Sequence, residues 1–166
     1  MAVLEIKTYG ASVLREKSLP VDKITPEILE LIEDMKETMY NGLGVGLAAP
    51  QIGVSKRIFI IDGEEEGLFV LINPVILERE GETTEEEGCL SVPGVFSKVT
   101  RSKKVTVEAI NQNGEKIKII KDNLIGRALQ HEIDHLEGIL FIDRIGKIRR
   151  QLLLDKYKKI KNKTVI

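Results

Sequence analysis

Between residues 26 and 41 apolar side chains recur at spacings of three and four, and Ile28, Leu31, Ile32, Met35 and Met39 fall on one face of a helix. Pro26 suits its first position, Thr25 its cap and Asn41-Gly42 its stop. The pattern then breaks, and residues 42–53 hold too many glycines for a regular element, which predicts a shaped loop. Residues 57–62, 67–73, 75–77 and 105–110 are short β-branched runs bounded by Gly, Pro, Asn or charge, and each predicts a strand. Residues 111–114, Asn-Gln-Asn-Gly, predict a hairpin loop into a strand over 116–120. A second helix is expected over 122–137, capped by Asp122, stopped by Gly138 and striped with Leu124, Ile125, Ala128, Leu129 and Leu136. A third, over 145–161, carries Ile148, Leu152 and Ile160 as a sparse stripe. The whole predicts an α+β fold in which antiparallel sheet surrounds a central helix, with one helix before it and one after.

Composition narrows the class. The 166 residues are 42% hydrophobic, enough for one domain with a real core and too few for two, so residues 1–166 are read as a single domain. No run approaches the roughly 18 apolar residues of a membrane helix, and Glu5 and Lys7 interrupt the start where a signal peptide needs its apolar stretch. The expected location is the cytoplasm, with no membrane partner. A single cysteine, Cys89, excludes an intrachain disulfide and fits a reducing compartment. Without tryptophan, and with 4% aromatics, the chain has little surface for stacking bases. Nucleic-acid reading is disfavoured.

The chemistry gathers around the only two histidines. His131-Glu132-Ile133-Asp134-His135 places two imidazoles one helical turn apart on one face, where both reach one metal ion, with a glutamate beside the ion's open position. Both histidines extend the edge of the apolar stripe, so they point into the protein. A catalytic site of this kind usually has three protein ligands, and no third histidine exists. A lone cysteine is more often an inert core residue than a ligand. Beside a two-histidine motif that lacks a partner, Cys89, in Glu87-Gly88-Cys89-Leu90-Ser91, becomes the preferred third ligand, with a distant glutamate as the usual alternative.

Three segments, Gly44-Val45-Gly46-Leu47-Ala48-Ala49-Pro50-Gln51, Glu87-Gly88-Cys89-Leu90-Ser91 and Gln130-His131-Glu132-Ile133-Asp134-His135, resemble the three signature motifs of the peptide deformylases, in that family's order. The resemblance implies removal of the formyl group from the N-terminal formylmethionine of new bacterial polypeptides. It makes Cys89, His131 and His135 the metal ligands and Glu132 the general base, which takes a proton from the attacking water and returns it to the departing amine. It makes the Gln51 amide and the Leu90 backbone N–H the donors to the developing oxyanion. The metal implied is Fe²⁺ in the cell, with Zn²⁺ or Ni²⁺ accepted by the same ligands. It further implies a pair between Arg101 and Glu87 that stiffens the ligand segment.

The glycine-rich segment lacks the Gly-Lys-Ser/Thr ending of a phosphate loop. Bare backbone near Val45 and Gly46, and at Gly88, suits an extended peptide that adds itself as a strand. Leu124, Ala128 and Val45 are expected to line an apolar pocket for methionine, with Arg127 at its rim.

Charge is unevenly spread. From Arg144 onward there are nine Lys or Arg residues against Asp155, a charge of +8, while the preceding 143 residues carry −9 and the whole −1. This basic C-terminal helix, residues 144–166, suggests an anionic docking surface, and for such a family ribosomal RNA near the exit tunnel is the expected partner. Three rival readings remain: a peptidase cutting internal bonds, a ribosome-binding protein with a structural metal, and a nucleic-acid binder led by the basic tail.

Overall fold

Thr25 caps the first helix, α1 (Pro26–Asn41), its side chain accepting the Ile28 N–H at 3.3 Å, and Ile28, Ile32, Met35 and Met39 are buried beneath it. A computed structural model describes residues 2–164 of the chain; Met1, Val165 and Ile166, the ends of the single-domain and C-terminal-helix expectations, lie outside the described residues. Seven strands follow in antiparallel pairings: β1 (Gly46–Ala48), β2 (Ile58–Asp62), β3 (Leu68–Glu80), β4 (Thr83–Cys89), β5 (Val92–Arg101), β6 (Lys104–Ile110) and β7 (Lys116–Lys121). β1-β2-β3-β6-β7 form one five-stranded sheet and β4-β5 a separate hairpin. The helices α2 (Leu124–Leu136) and α3 (Lys147–Thr164) complete the chain. The α+β fold with antiparallel sheet and three helices is as expected.

Several boundaries differ from the sequence pattern. The expected loop over 42–53 contains β1, paired Gly46↔Ile61 to Ala48↔Phe59, followed by a 3₁₀ turn over Ala49–Ile52. Three residues are too few to show a period, so glycine content concealed a strand. The two strands expected on either side of Pro74 are one, β3, with one register shift at Ile72/Val75 around the proline and a second at Ile76/Glu78. Proline lacks the ladder N–H and therefore sits at an irregularity. Asn73, at φ +52°, turns the chain there while its side-chain amide brackets the Val21 backbone, both bonds at 2.8 Å. The hairpin β4-β5 was not foreseen. Its inward positions include Glu87, Ser97 and Arg101, which break the apolar alternation that marks a half-buried strand.

The cap of α2 is Asn123, whose Oδ1 accepts the Ile125 N–H at 3.0 Å, rather than Asp122. Leu124, expected on the apolar stripe, is 77% exposed, at the first helical position in the wall of an open cavity. On α3 the stripe is misplaced. Ile148 and Leu152 face solvent, and the seam against β5 runs through Leu154 and Tyr157, with Leu153 and Ile160 partly buried. A helix docks by whichever face meets its neighbour, and the lysines flanking that seam are exposed.

Two cores sandwich the large sheet. α1 packs on one face through Met35, Met39, Leu47, Ile58 and Ile60, and α2 on the other through Leu129, Ile133 and Leu136 against Phe59, Ile61 and Val107. The opposite, polar side of α2 meets the β4-β5 hairpin, so the helix bearing both histidines lies between the two sheets. Among the described residues, no helix is long and apolar enough to cross a membrane.

Candidate metal centre

Position on α2 fixes His131 and His135 one turn apart, and the tight turn between β4 and β5 brings Cys89, the last residue of β4, to them. One ligand atom from each of Cys89, His131 and His135 lies within 4.8 Å of the others. Cys89 Sγ is 3.3 Å from His135 Nε2. His131 Nδ1 stands 3.0 Å from Glu87 Oε1, which leaves its Nε2 to face the sulfur and the cavity. His135 Nδ1 and Glu132 Oε1 are buried without a partner. A soft thiol and two imidazole nitrogens converging beside an unengaged carboxylate fit a divalent transition metal with one position left open.

The surrounding charges are paired, and all but Arg144 are buried. Glu87 receives both Arg101 Nε and Nη2 at 2.8 Å and a further bond from Arg127. Arg101 Nη1 continues to Asp134 Oδ2 at 2.6 Å, and Arg144 closes on the same carboxylate at 2.8 and 3.0 Å. Burial would raise the Glu87 carboxyl, but the bonds from Arg101 and His131 outweigh it and hold it well below the usual carboxylate range. Burial would lower His131, yet its contacts with Cys89 and Glu87 and the charge of Glu132 carry it well above the ordinary imidazole value. His135 is driven well below that value by burial and by the positive charge of His131. Burial pushes Glu132 up to about 7, with His131 and Arg101 opposing.

All the expected site residues meet in one place. Val45, Gly46, Gln51, Gly88, Cys89, Leu90, Leu124, Arg127, Ala128, His131 and Glu132 line a single cavity of about 480 Å³, with His135 behind it. Gln51, read from residue type alone as a polar loop residue, is only 1% exposed. Its Oε1 accepts the Ala48 N–H at 2.9 Å, which turns its amide N–H toward Ser91 Oγ at 3.1 Å and Cys89 Sγ at 3.6 Å. Arg127 corrects its expectation as a rim residue: it is buried, and its guanidinium is held by Glu87 and the carbonyls of Val99 and Thr83. The sequence reading missed Asp134 and Arg144, which brace the ligand helix, and Leu43 and Phe96, which line the cavity. Asp134 carried a usable signal, a charge on the inward side of the histidine helix; Phe96 carried none.

A His-Glu-x-x-His helix and a cysteine around an open cavity, in an α+β fold, define a metal-dependent hydrolase. The polypeptide deformylase family profile matches residues 3–151. Peptide deformylase of Halothermothrix orenii is 54% identical over 154 residues, covering 92% of this chain and 100% of its own length; that of Neisseria meningitidis serogroup C is 44% identical over 167 residues, covering 99% and 100%. The crystal structure of a peptide deformylase from Legionella pneumophila superposes with a TM-score of 0.95 at 42% identity, covering 99% of this chain and 98% of its own. One from Ehrlichia chaffeensis, in complex with actinonin, gives 0.92 at 38%, covering 96% and 98%. The chain belongs to the polypeptide deformylase family. It is an enzyme of that class, a metalloenzyme that removes the N-formyl group from nascent chains.

Proposed function

We propose that Cys89, His131 and His135 hold the catalytic metal and that Glu132 is the general base for hydrolysis of N-formylmethionyl peptides. The observation that carries this reading is the convergence of the three ligand atoms within 4.8 Å, in the wall of a cavity that also contains Glu132. When bound, a divalent metal supplies Lewis acidity, making water acidic near neutral pH and polarising a carbonyl oxygen. Glu132 takes a proton from the attacking water, whose oxygen adds to the formyl carbon, and delivers it to the amine as the C–N bond breaks and formate leaves. The Gln51 amide, oriented by its bond from Ala48 N–H, and the Leu90 backbone N–H donate to the formyl oxygen as its charge grows. The substrate backbone adds as a strand beside Val45 and Gly46, on the open edge of β1, with Gly88 opposite. Val45, Leu124 and Ala128 receive the methionine side chain, and Arg127 shapes the cavity wall from beneath.

The metal in the cell is Fe²⁺, with Zn²⁺ or Ni²⁺ accepted by the same ligands. The enzyme works as one catalytic domain, residues 1–166, in the cytoplasm. Lys156, Lys158, Lys159, Lys161 and Lys163 are exposed on α3 and support docking on ribosomal RNA. Because Leu154 and Tyr157 are buried, deleting α3 would damage the core; replacing Lys158, Lys159 and Lys161 by glutamate tests docking instead. Salt-dependent ribosome co-sedimentation is expected to be lost, and unchanged binding would end that part of the proposal. The activity is tested by formate release from a formyl-Met peptide by protein purified without oxygen, beside Glu132→Gln. Release by the native protein and not by the variant is expected. A native protein that holds metal yet releases none, or a variant that matches it, refutes the assignment.

A further inference from the structure

The loop between β4 and β5 is two residues long, Leu90-Ser91, since Cys89 pairs directly with Val92. Such loops usually carry Asn-Gly or Gly-X and lie in water. Ser91 is instead 0% exposed. Its N–H donates to Cys89 Sγ at 3.4 Å, its carbonyl accepts the Tyr9 N–H at 2.8 Å and its Oγ accepts Gln51 Nε2 at 3.1 Å. Gln51 lines the cavity and Ser91 stands behind it. A primary amide carries two N–H groups in one plane. With Gln51 Oε1 fixed by the Ala48 N–H at 2.9 Å and one N–H fixed by Ser91 Oγ, the other is directed toward Cys89 Sγ, at 3.6 Å, and the cavity. Alternate residues of the N-terminal segment tie down the backbone beneath this pair: the Lys7 N–H donates to the Gln51 carbonyl at 2.6 Å and the Tyr9 N–H to the Ser91 carbonyl. The Tyr9 ring meets Tyr157 of α3 edge-on, with ring centres 6.0 Å apart. Gln51 and Ser91, 40 positions apart in the chain, are thus held in register by residues 7–9.

We propose that Ser91 is a positioning residue whose hydroxyl aims the Gln51 amide at the formyl oxygen, over a backbone held in register by residues 7–9; this rests on the reading of Gln51 as an oxyanion donor. A donor adds to the rate only if its N–H already points where charge develops, because an amide that must turn at that moment loses the benefit of preorganisation. The terminal torsion of glutamine is broad, so the Ala48 bond alone leaves the amide plane free to tilt. Ser91 Oγ removes that freedom. Truncating the hydroxyl leaves the Ser91 N–H on Cys89 in place, so the effect is on the amide and not on the metal ligand.

The test measures formate release from a formyl-Met peptide, metal content and melting temperature for the metal-loaded native enzyme, Ser91→Ala, Gln51→Ala and the double variant. Ser91→Ala is expected to lower kcat about tenfold, with KM within about twofold of native, full metal content and a melting temperature lower by about 2–4 °C. In the Gln51→Ala background the same substitution is expected to change kcat by less than about twofold, because no amide is left to aim. That loss of effect separates positioning from a purely structural contribution, which acts in both backgrounds. A kcat for Ser91→Ala within about twofold of native, or an equal loss in both backgrounds, would overturn the proposal. So would a loss carried by KM, by metal content or by failure to fold. Gln51→Ala turning over at the native rate would overturn the oxyanion assignment beneath it, and absence of formate from the native enzyme the deformylase reading itself.

Discussion

An alanine at position 46 tests the placement of Glu132 by steric means alone. Its Cβ would lie 2.6 Å from Glu132 Oε2, 3.2 Å from Glu132 Cδ and 3.3 Å from the Ile60 carbonyl oxygen. The carbonyl is fixed by the pairing of β1 with β2, so the carboxylate is the group that moves. Restoring a contact of 3.0–3.4 Å requires it to retreat by about 0.4–0.8 Å. The fold tolerates this, because the displaced atom ends a side chain and Gly→Ala also removes about 0.4–1 kcal/mol of unfolded-state entropy where the backbone is compatible. Catalysis does not tolerate it. A general base displaced by most of an ångström costs roughly 10- to 100-fold, or about 1.4–2.7 kcal/mol of barrier. Gly46→Ala is therefore expected to keep its melting temperature and metal content while kcat for formate release falls by that factor. A change confined to KM would assign Gly46 to peptide binding alone. A kcat within about twofold of native, at full metal load, would refute the placement of Glu132 as the base.

Three further outcomes follow from the buried polar groups. Gln51→Ala removes both the amide donor and the acceptor for Ala48 N–H, and is expected to lower kcat by about 10²–10³ for about 1 kcal/mol of stability, read by single-turnover formate release and thermal melting. Arg101→Met strips Glu87 and Asp134 of their shared partner and is expected to cost about 3 kcal/mol in urea melts and 10- to 100-fold in metal affinity against a competing chelator. Unchanged affinity would mean that Glu87 orients His131 without Arg101. Burial pushes the Asp143 carboxyl up, but Arg15, the Leu140 N–H and Arg150 pull it further down. Its folded value lies below its unfolded one, so the stability it contributes is complete above about pH 5 and is lost as pH falls through the folded value. The stability difference between native protein and Asp143→Asn should shrink between about pH 5 and 3; a difference that ignores pH would remove the carboxylate from the account.

The local reading reached furthest where chemistry and periodicity lie in adjacent residues. Two imidazoles and a carboxylate on consecutive positions of a helix need only helix geometry to share a face, so His131, Glu132 and His135 were legible before any fold was known. Helix α1 was equally plain, because its cap, first proline and apolar stripe all lie within its own residues. The family motifs alone promote Gln51, which residue type leaves as loop filler, whereas Cys89 is already the preferred third ligand beside two histidines that lack a partner.

What distance in sequence separates, only the tertiary structure could join. Cys89 reaches the histidines because β4 turns into β5 beneath α2, a hairpin whose buried Glu87, Ser97 and Arg101 hide its alternation. Glu87 pairs with Arg101 across 14 positions of chain and with His131 across 44, and no local pattern encodes partners that far apart. The docking face of α3 was misjudged for the same reason: its own sequence offers several weak stripes, and β5 selects one. The sequence by itself determined which side chains are candidates for chemistry, since reactivity belongs to side-chain type and short spacing. The fold decided what surrounds them, including the seat of Glu132 against Gly46 and the apolar mouth at Leu43 and Phe96, because burial and pairing belong to surfaces that exist only once the chain has closed.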